Sequence, residues 1–92
     1  MINYQEEVMR LAKEKGFPMQ KSNKNFLIQR IEVELEEVKH YKNDENLKEE
    51  IIDVIIQSIQ LLSVMGGDLE EEFKKKMEIN FKRNWKLDSL KK

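Results

Sequence analysis

Glu34 and Glu37, and again Glu50 and Asp53, are acidic pairs spaced three residues apart, each set inside an apolar helical pattern. Residues at that spacing share one side of a helix, so each pair presents two carboxylates together. Twelve residues containing a turn separate the pairs, and a hairpin would bring them face to face. Four convergent carboxylates make a site for a hard cation. Mg²⁺ takes oxygen ligands in near-octahedral geometry, keeps several waters, and is usually held by a few carboxylates together with substrate phosphates. The chain has no cysteine and one histidine, His40, so the ligand set points to Mg²⁺ or Mn²⁺ rather than zinc. The implied substrate is a phosphate ester or anhydride.

A second constellation follows in the C-terminal third. Lys76, Asn80 and Arg83 stand at i, i+4 and i+7, along one face of a helix. A cation, an amide and a guanidinium in a row suit a polyphosphate, since Arg offers a planar fork and Lys a point charge. A solvated basic face would show the same spacing. Phe81 and Trp85 would offer a stacking surface for a base or, equally, core or interface packing. His40 carries the main competing signal, because Glu37-Val38-Lys39-His40 is a Glu-x-x-His sequence of the type that di-iron carboxylate bundles repeat on two helices. One copy is present, so a second chain would have to supply the other. The alternatives to a phosphate-cleaving enzyme are therefore a di-iron or other metal-binding carboxylate bundle, and a non-catalytic helical interaction protein.

The elements that must position these groups read as helices throughout, with no strand-like alternation. The first covers about residues 3–15, with Tyr4, Val8, Leu11 and Ala12 on one side, and ends at Gly16-Phe17-Pro18. A second begins near Ser22 and carries Leu27, Ile28, Ile31, Leu35, Val38 and Tyr41, with Asn43, Asp44 and Asn46 marking its end. A third covers about 47–65 and stops at Gly66-Gly67. Asp68 reads as the N-cap of a fourth, with Glu71 completing a capping-box pattern, and Leu69, Phe73 and Met77 form its apolar side.

The third helix is the most informative of the four. Ile51, Ile52, Val54, Ile55, Ile56, Ile59, Leu61, Leu62, Val64 and Met65 cover most of its circumference, which predicts a helix buried nearly all round. Glu50, Asp53, Gln57 and Gln60 interrupt it, and at roughly 100° per residue they fall on one narrow stripe. An ionised carboxylate in such a place is costly unless paired or bound to metal.

Ninety-two residues predict one domain, residues 1–92, with a thin core. A helix this apolar, in a chain with 38% charged residues, has too few partners within one copy. The expectation is an all-α, four-helix bundle-like chain that assembles into an intimate helical homo-oligomer. With 17 Lys+Arg against 18 Asp+Glu there is no net positive field for nucleic acid or an anionic membrane. Met1 to Glu7 shows no basic start followed by an apolar run, and Asp53, Gln57 and Gln60 break the one long apolar stretch. Neither a signal peptide nor a membrane span fits, and a cytoplasmic protein is expected.

Taken in order, Glu34-Leu35-Glu36-Glu37, Glu50-Ile51-Ile52-Asp53-Val54, Gly67-Asp68-Leu69-Glu70 and Lys76-Met77-Glu78-Ile79-Asn80-Phe81-Lys82-Arg83 resemble the MazG-like family of all-α nucleoside triphosphate pyrophosphohydrolases. That family carries an E-x-x-E pair, a loop of variable length, an E-x-x-D pair, and a helix with a K-x-x-x-N-x-x-R pattern. The likeness covers about residues 28–85. It departs at Val33, where the family often has a further Glu, so Glu32 or Glu36 competes for a place in the first pair. The resemblance implies hydrolysis of a nucleoside or deoxynucleoside triphosphate to the monophosphate and pyrophosphate, in a site built by a helical dimer that often pairs into a tetramer. It also implies Mg²⁺ held by Glu34, Glu37, Glu50 and Asp53, with Lys76, Asn80 and Arg83 on the phosphate chain.

Overall fold

The computed structural model describes residues 1–84, and these are helical with no strand. Helix α1 is Tyr4–Lys15, α2 is Lys24–Lys39, α3 is Asp44–Val64 and α4 is Leu69–Lys82, with a short 3-10 turn at Lys21–Asn23 before α2. Trp85, which the sequence offered as a stacking residue, lies outside the described residues.

Local chemistry sets the boundaries. Asn3 caps α1 by accepting from the Glu6 N–H at 3.0 Å, and Gly16 closes it in the left-handed region at φ 69°. Asp68 caps α4 by accepting from the Glu71 N–H at 3.1 Å, as its spacing predicts. The second boundary differs from the sequence reading. Asn43, Asp44 and Asn46 do not end α2; they begin α3. Asn43 is its N-cap and accepts from the Asn46 N–H at 2.9 Å, while Asn46 Oδ1 accepts from the Lys42 N–H at 2.9 Å. Polar Asn and Asp serve a helix start as readily as a loop, and here the Asn43 side chain satisfies the Asn46 N–H, one of the first-turn donors.

The short connection 40–43 folds α3 back along α2, and this pair forms the most extensive helix contact, with α1 packed on α3 next. The enclosed apolar core is small: Val8, Ala12, Leu27 and Ile59 are buried. Polar bonds knit the rest. Gln5 donates to Ser63 Oγ at 2.8 Å and to the Gly67 carbonyl at 2.9 Å, and accepts from the Leu69 N–H at 2.8 Å. One α1 side chain thus holds the joint where α4 leaves α3 at an angle of 103°. Glycine suits that joint: Gly66 adopts φ 83°, in the left-handed region, and a Cβ on Gly67 would come 2.6 Å from Leu62 Cδ1, so that side chain would have to shift.

The burial of α3 reverses the sequence expectation within one chain. Gln57 and Gln60 are 7% and 1% exposed, whereas Ile51, Ile52 and Ile55 are 43%, 52% and 46% exposed. The polar stripe faces the other helices, because α1 and α2 cover only that half of the cylinder. The isoleucine edge lies on the outside. Among the described residues, no single helix is long and apolar enough to cross a membrane.

Candidate metal centre

Helices α2 and α3 bring three of the four acidic residues together. One carboxylate oxygen each from Glu34, Glu50 and Asp53 lies within 4.8 Å of the others. Glu34 and Glu50 are half-buried and Asp53 is exposed, so the trio sits at the solvent edge of the α2–α3 contact. Glu50 is steered by Asn46, one turn before it, whose Nδ2 donates to Glu50 Oε1 at 3.1 Å.

Electrostatics record the crowding. Burial pushes the Glu34 carboxyl above its ordinary range, and the negative charges of Asp53, Glu50 and Glu37 push it further. The Arg30 guanidinium, one turn before Glu34, opposes them. Arg30 is itself held over the Phe17 ring, 4.6 Å from its centroid. Glu37 therefore lies close enough to act on Glu34, yet it is exposed and outside the converging trio.

The residues that competed for these places lie elsewhere. Glu36 is exposed and engages Lys39 at 3.3 Å, and Glu32 is exposed. His40 caps the C-terminus of α2, with its ring Nδ1 2.8 Å from the Glu36 carbonyl oxygen, and is not among the converging ligands. Lys76, Asn80 and Arg83 occupy α4, beyond the bend, with Asn80 half-buried and Arg83 at the C-cap. Helix α4 packs against α3.

Two contributors were not singled out from sequence. Arg30 and Asn46 each precede a carboxylate by four residues, a spacing that places them on its helix face.

Three oxygen donors with mutually repelling charges suit a divalent cation of the Mg²⁺ or Mn²⁺ type, which would offset the burial and the repulsion that together raise Glu34. A pH prediction follows from the direction of that shift. A carboxyl raised in the fold binds its proton more tightly than in the unfolded chain. Its stabilising effect is thus present at low pH and is lost as pH rises from the ordinary value of 4.5 through the raised one. At neutral pH with a chelator, Glu34→Gln is expected to melt at a higher temperature than the wild type. The difference should shrink as pH falls toward 4.5, as wild-type Glu34 takes up its proton. Melting curves of the two proteins across that range check it; a variant less stable at neutral pH would contradict the repulsive cluster.

No protein-family model, curated protein or solved structure matches the chain.

Proposed function

We propose that the chain is a Mg²⁺-dependent nucleoside triphosphate pyrophosphohydrolase of the MazG-like type, cleaving an NTP or dNTP to the monophosphate and pyrophosphate. The observation that carries this reading is the convergence of Glu34, Glu50 and Asp53 from two helices, at the positions of the E-x-x-E and E-x-x-D motifs. A bound Mg²⁺ would neutralise phosphate charge and lower the pKa of water in its shell.

The chain's own residues then have distinct tasks. Glu34, Glu50 and Asp53 hold the cation, and Asn46 fixes the Glu50 rotamer. Glu37, beside the trio, completes the ligand set or takes the proton from the attacking water. Water adds to the α-phosphorus while the bond to the α–β bridging oxygen breaks, and pyrophosphate leaves. Lys76 and Arg83 balance the charge on the phosphate chain and Asn80 hydrogen-bonds to phosphate or sugar. Pyrophosphate release from a panel of NTPs and dNTPs, with Mg²⁺ or with a chelator, tests the reading. Release that needs the metal is expected, and silence across the panel would refute it.

The site is read as that of a homodimer or tetramer. Ile51, Ile52 and Ile55 form an exposed apolar edge on α3, and Phe73, Met77 and Phe81 line an open groove on the projecting α4. Covering both in a second copy would bury the apolar surface that one chain leaves out. It would also let α4 of one copy reach the carboxylates of the other. Light scattering at micromolar concentration is expected to give a multiple of the 11.1 kDa chain mass, and Ile55→Glu to lower it. A folded wild-type monomer would contradict the assembly.

A further inference from the structure

Gln57 lies one turn beyond Asp53 and two beyond Glu50 on the polar stripe of α3. At roughly 100° per residue it falls only about 20° around the helix from Glu50. It is 7% exposed, and its Oε1 is buried with no hydrogen-bond partner. Gln60, further along the same stripe, is satisfied: its Nε2 donates to the Pro18 carbonyl at 3.0 Å. The two buried glutamines therefore differ in kind. Gln60 ties α3 to the segment before α2, whereas Gln57 holds an acceptor that this fold leaves unused.

Burying an amide oxygen without a donor is unfavourable, and an apolar side chain of similar size would fill the same space without that penalty. Exposure falls along the stripe from Asp53 to Gln57, so the neighbouring polar group on the solvent side of Gln57 is a member of the carboxylate trio. A cation held by few carboxylates keeps several waters, and those waters are polarised donors in need of acceptors.

We propose that Gln57 anchors the hydration shell of the bound cation, its Oε1 accepting a hydrogen bond from a water that the cation carries. This rests on the reading of Glu34, Glu50 and Asp53 as the cation site. It makes Gln57 a positioning residue, acting on the metal through water and not as a ligand.

Mn²⁺ titration followed by electron paramagnetic resonance, with melting curves in chelator, separates this role from a structural one. The proteins are the wild type, Gln57→Leu, Gln57→Met and Gln57→Glu. Gln57→Leu and Gln57→Met are expected to weaken Mn²⁺ binding by roughly 10–100-fold, the scale for losing a group that orients a metal's shell. Their metal-free melting temperatures should equal or exceed that of the wild type, since an unsatisfied acceptor has been removed. Gln57→Glu, which keeps an acceptor oxygen, should bind Mn²⁺ at least as tightly as the wild type. If the wild type binds Mn²⁺ and both apolar variants bind it within threefold, the role of Gln57 is overturned while the carboxylate site stands. Lower metal-free melting temperatures in both apolar variants would also overturn it, because the amide would then be serving the fold. A wild type that binds no Mn²⁺ overturns both.

Discussion

Replacing Asp53 with asparagine is expected to abolish Mg²⁺-dependent pyrophosphate release while leaving the helix content unchanged. Asparagine keeps the shape of the side chain and removes the charge that a hard cation requires. Asp53 is exposed, so the exchange disturbs no core packing. The loss should exceed the ~10–100-fold that follows removal of a group behind a ligand, because here a ligand itself is lost. In chelator the variant should be at least as stable as the wild type, since one of the charges crowding Glu34 is gone. Steady-state kinetics beside circular dichroism check both parts. Wild-type activity in the variant would remove Asp53 from the site.

Arg83→Ala is expected to reduce kcat/KM for triphosphates by about 1–3 kcal/mol of transition-state stabilisation, the scale of a hydrogen bond to a charged group. Arg83→Lys should recover part of this, because lysine keeps the charge and loses the planar fork. Lys74→Ala is the control. Lys74 lies off the Lys76, Asn80, Arg83 face and pairs with Glu70 on its own helix at 3.3 Å, so its removal should change little. A solvated basic face predicts equal, small effects in all three variants. The set therefore decides whether the resemblance extends past the acidic motifs to α4.

The parts of the fold that could be read from sequence are those fixed by local rules. Gly16 and Pro18 end α1, Asp68 starts α4, and the three-residue spacing of the acidic pairs places carboxylates on one helix face, as the structure shows. What could not be read is either a choice between two local readings or a matter of partners distant in the chain. Asn43 and Asn46 suit either the end of one helix or the start of the next, and the bonds from the Asn46 N–H to Asn43 Oδ1 and from the Lys42 N–H to Asn46 Oδ1 decide. The apolar girdle of α3 says that the helix should be covered, without saying which side this chain covers itself. The structure turns the stripe inward and leaves Ile51, Ile52 and Ile55 outside. Likewise, spacing gave Glu34 and Glu37 equal claims, and it is the crossing of α2 over α3 that brings Glu34 to Glu50 and Asp53 while Glu37 stays at the edge. The lack of a partner for Gln57 Oε1 is a fact of packing that no spacing rule could supply.

The central claim is that these carboxylates hold a cation for the cleavage of a triphosphate between its α and β phosphorus atoms. Phosphorus NMR of a dNTP or NTP incubated with the protein tests it most directly, run once with Mg²⁺ and once with excess chelator. Equal amounts of nucleoside monophosphate and pyrophosphate are expected with Mg²⁺, and intact triphosphate without it. Nucleoside diphosphate with orthophosphate, or the same products in chelator, would contradict it.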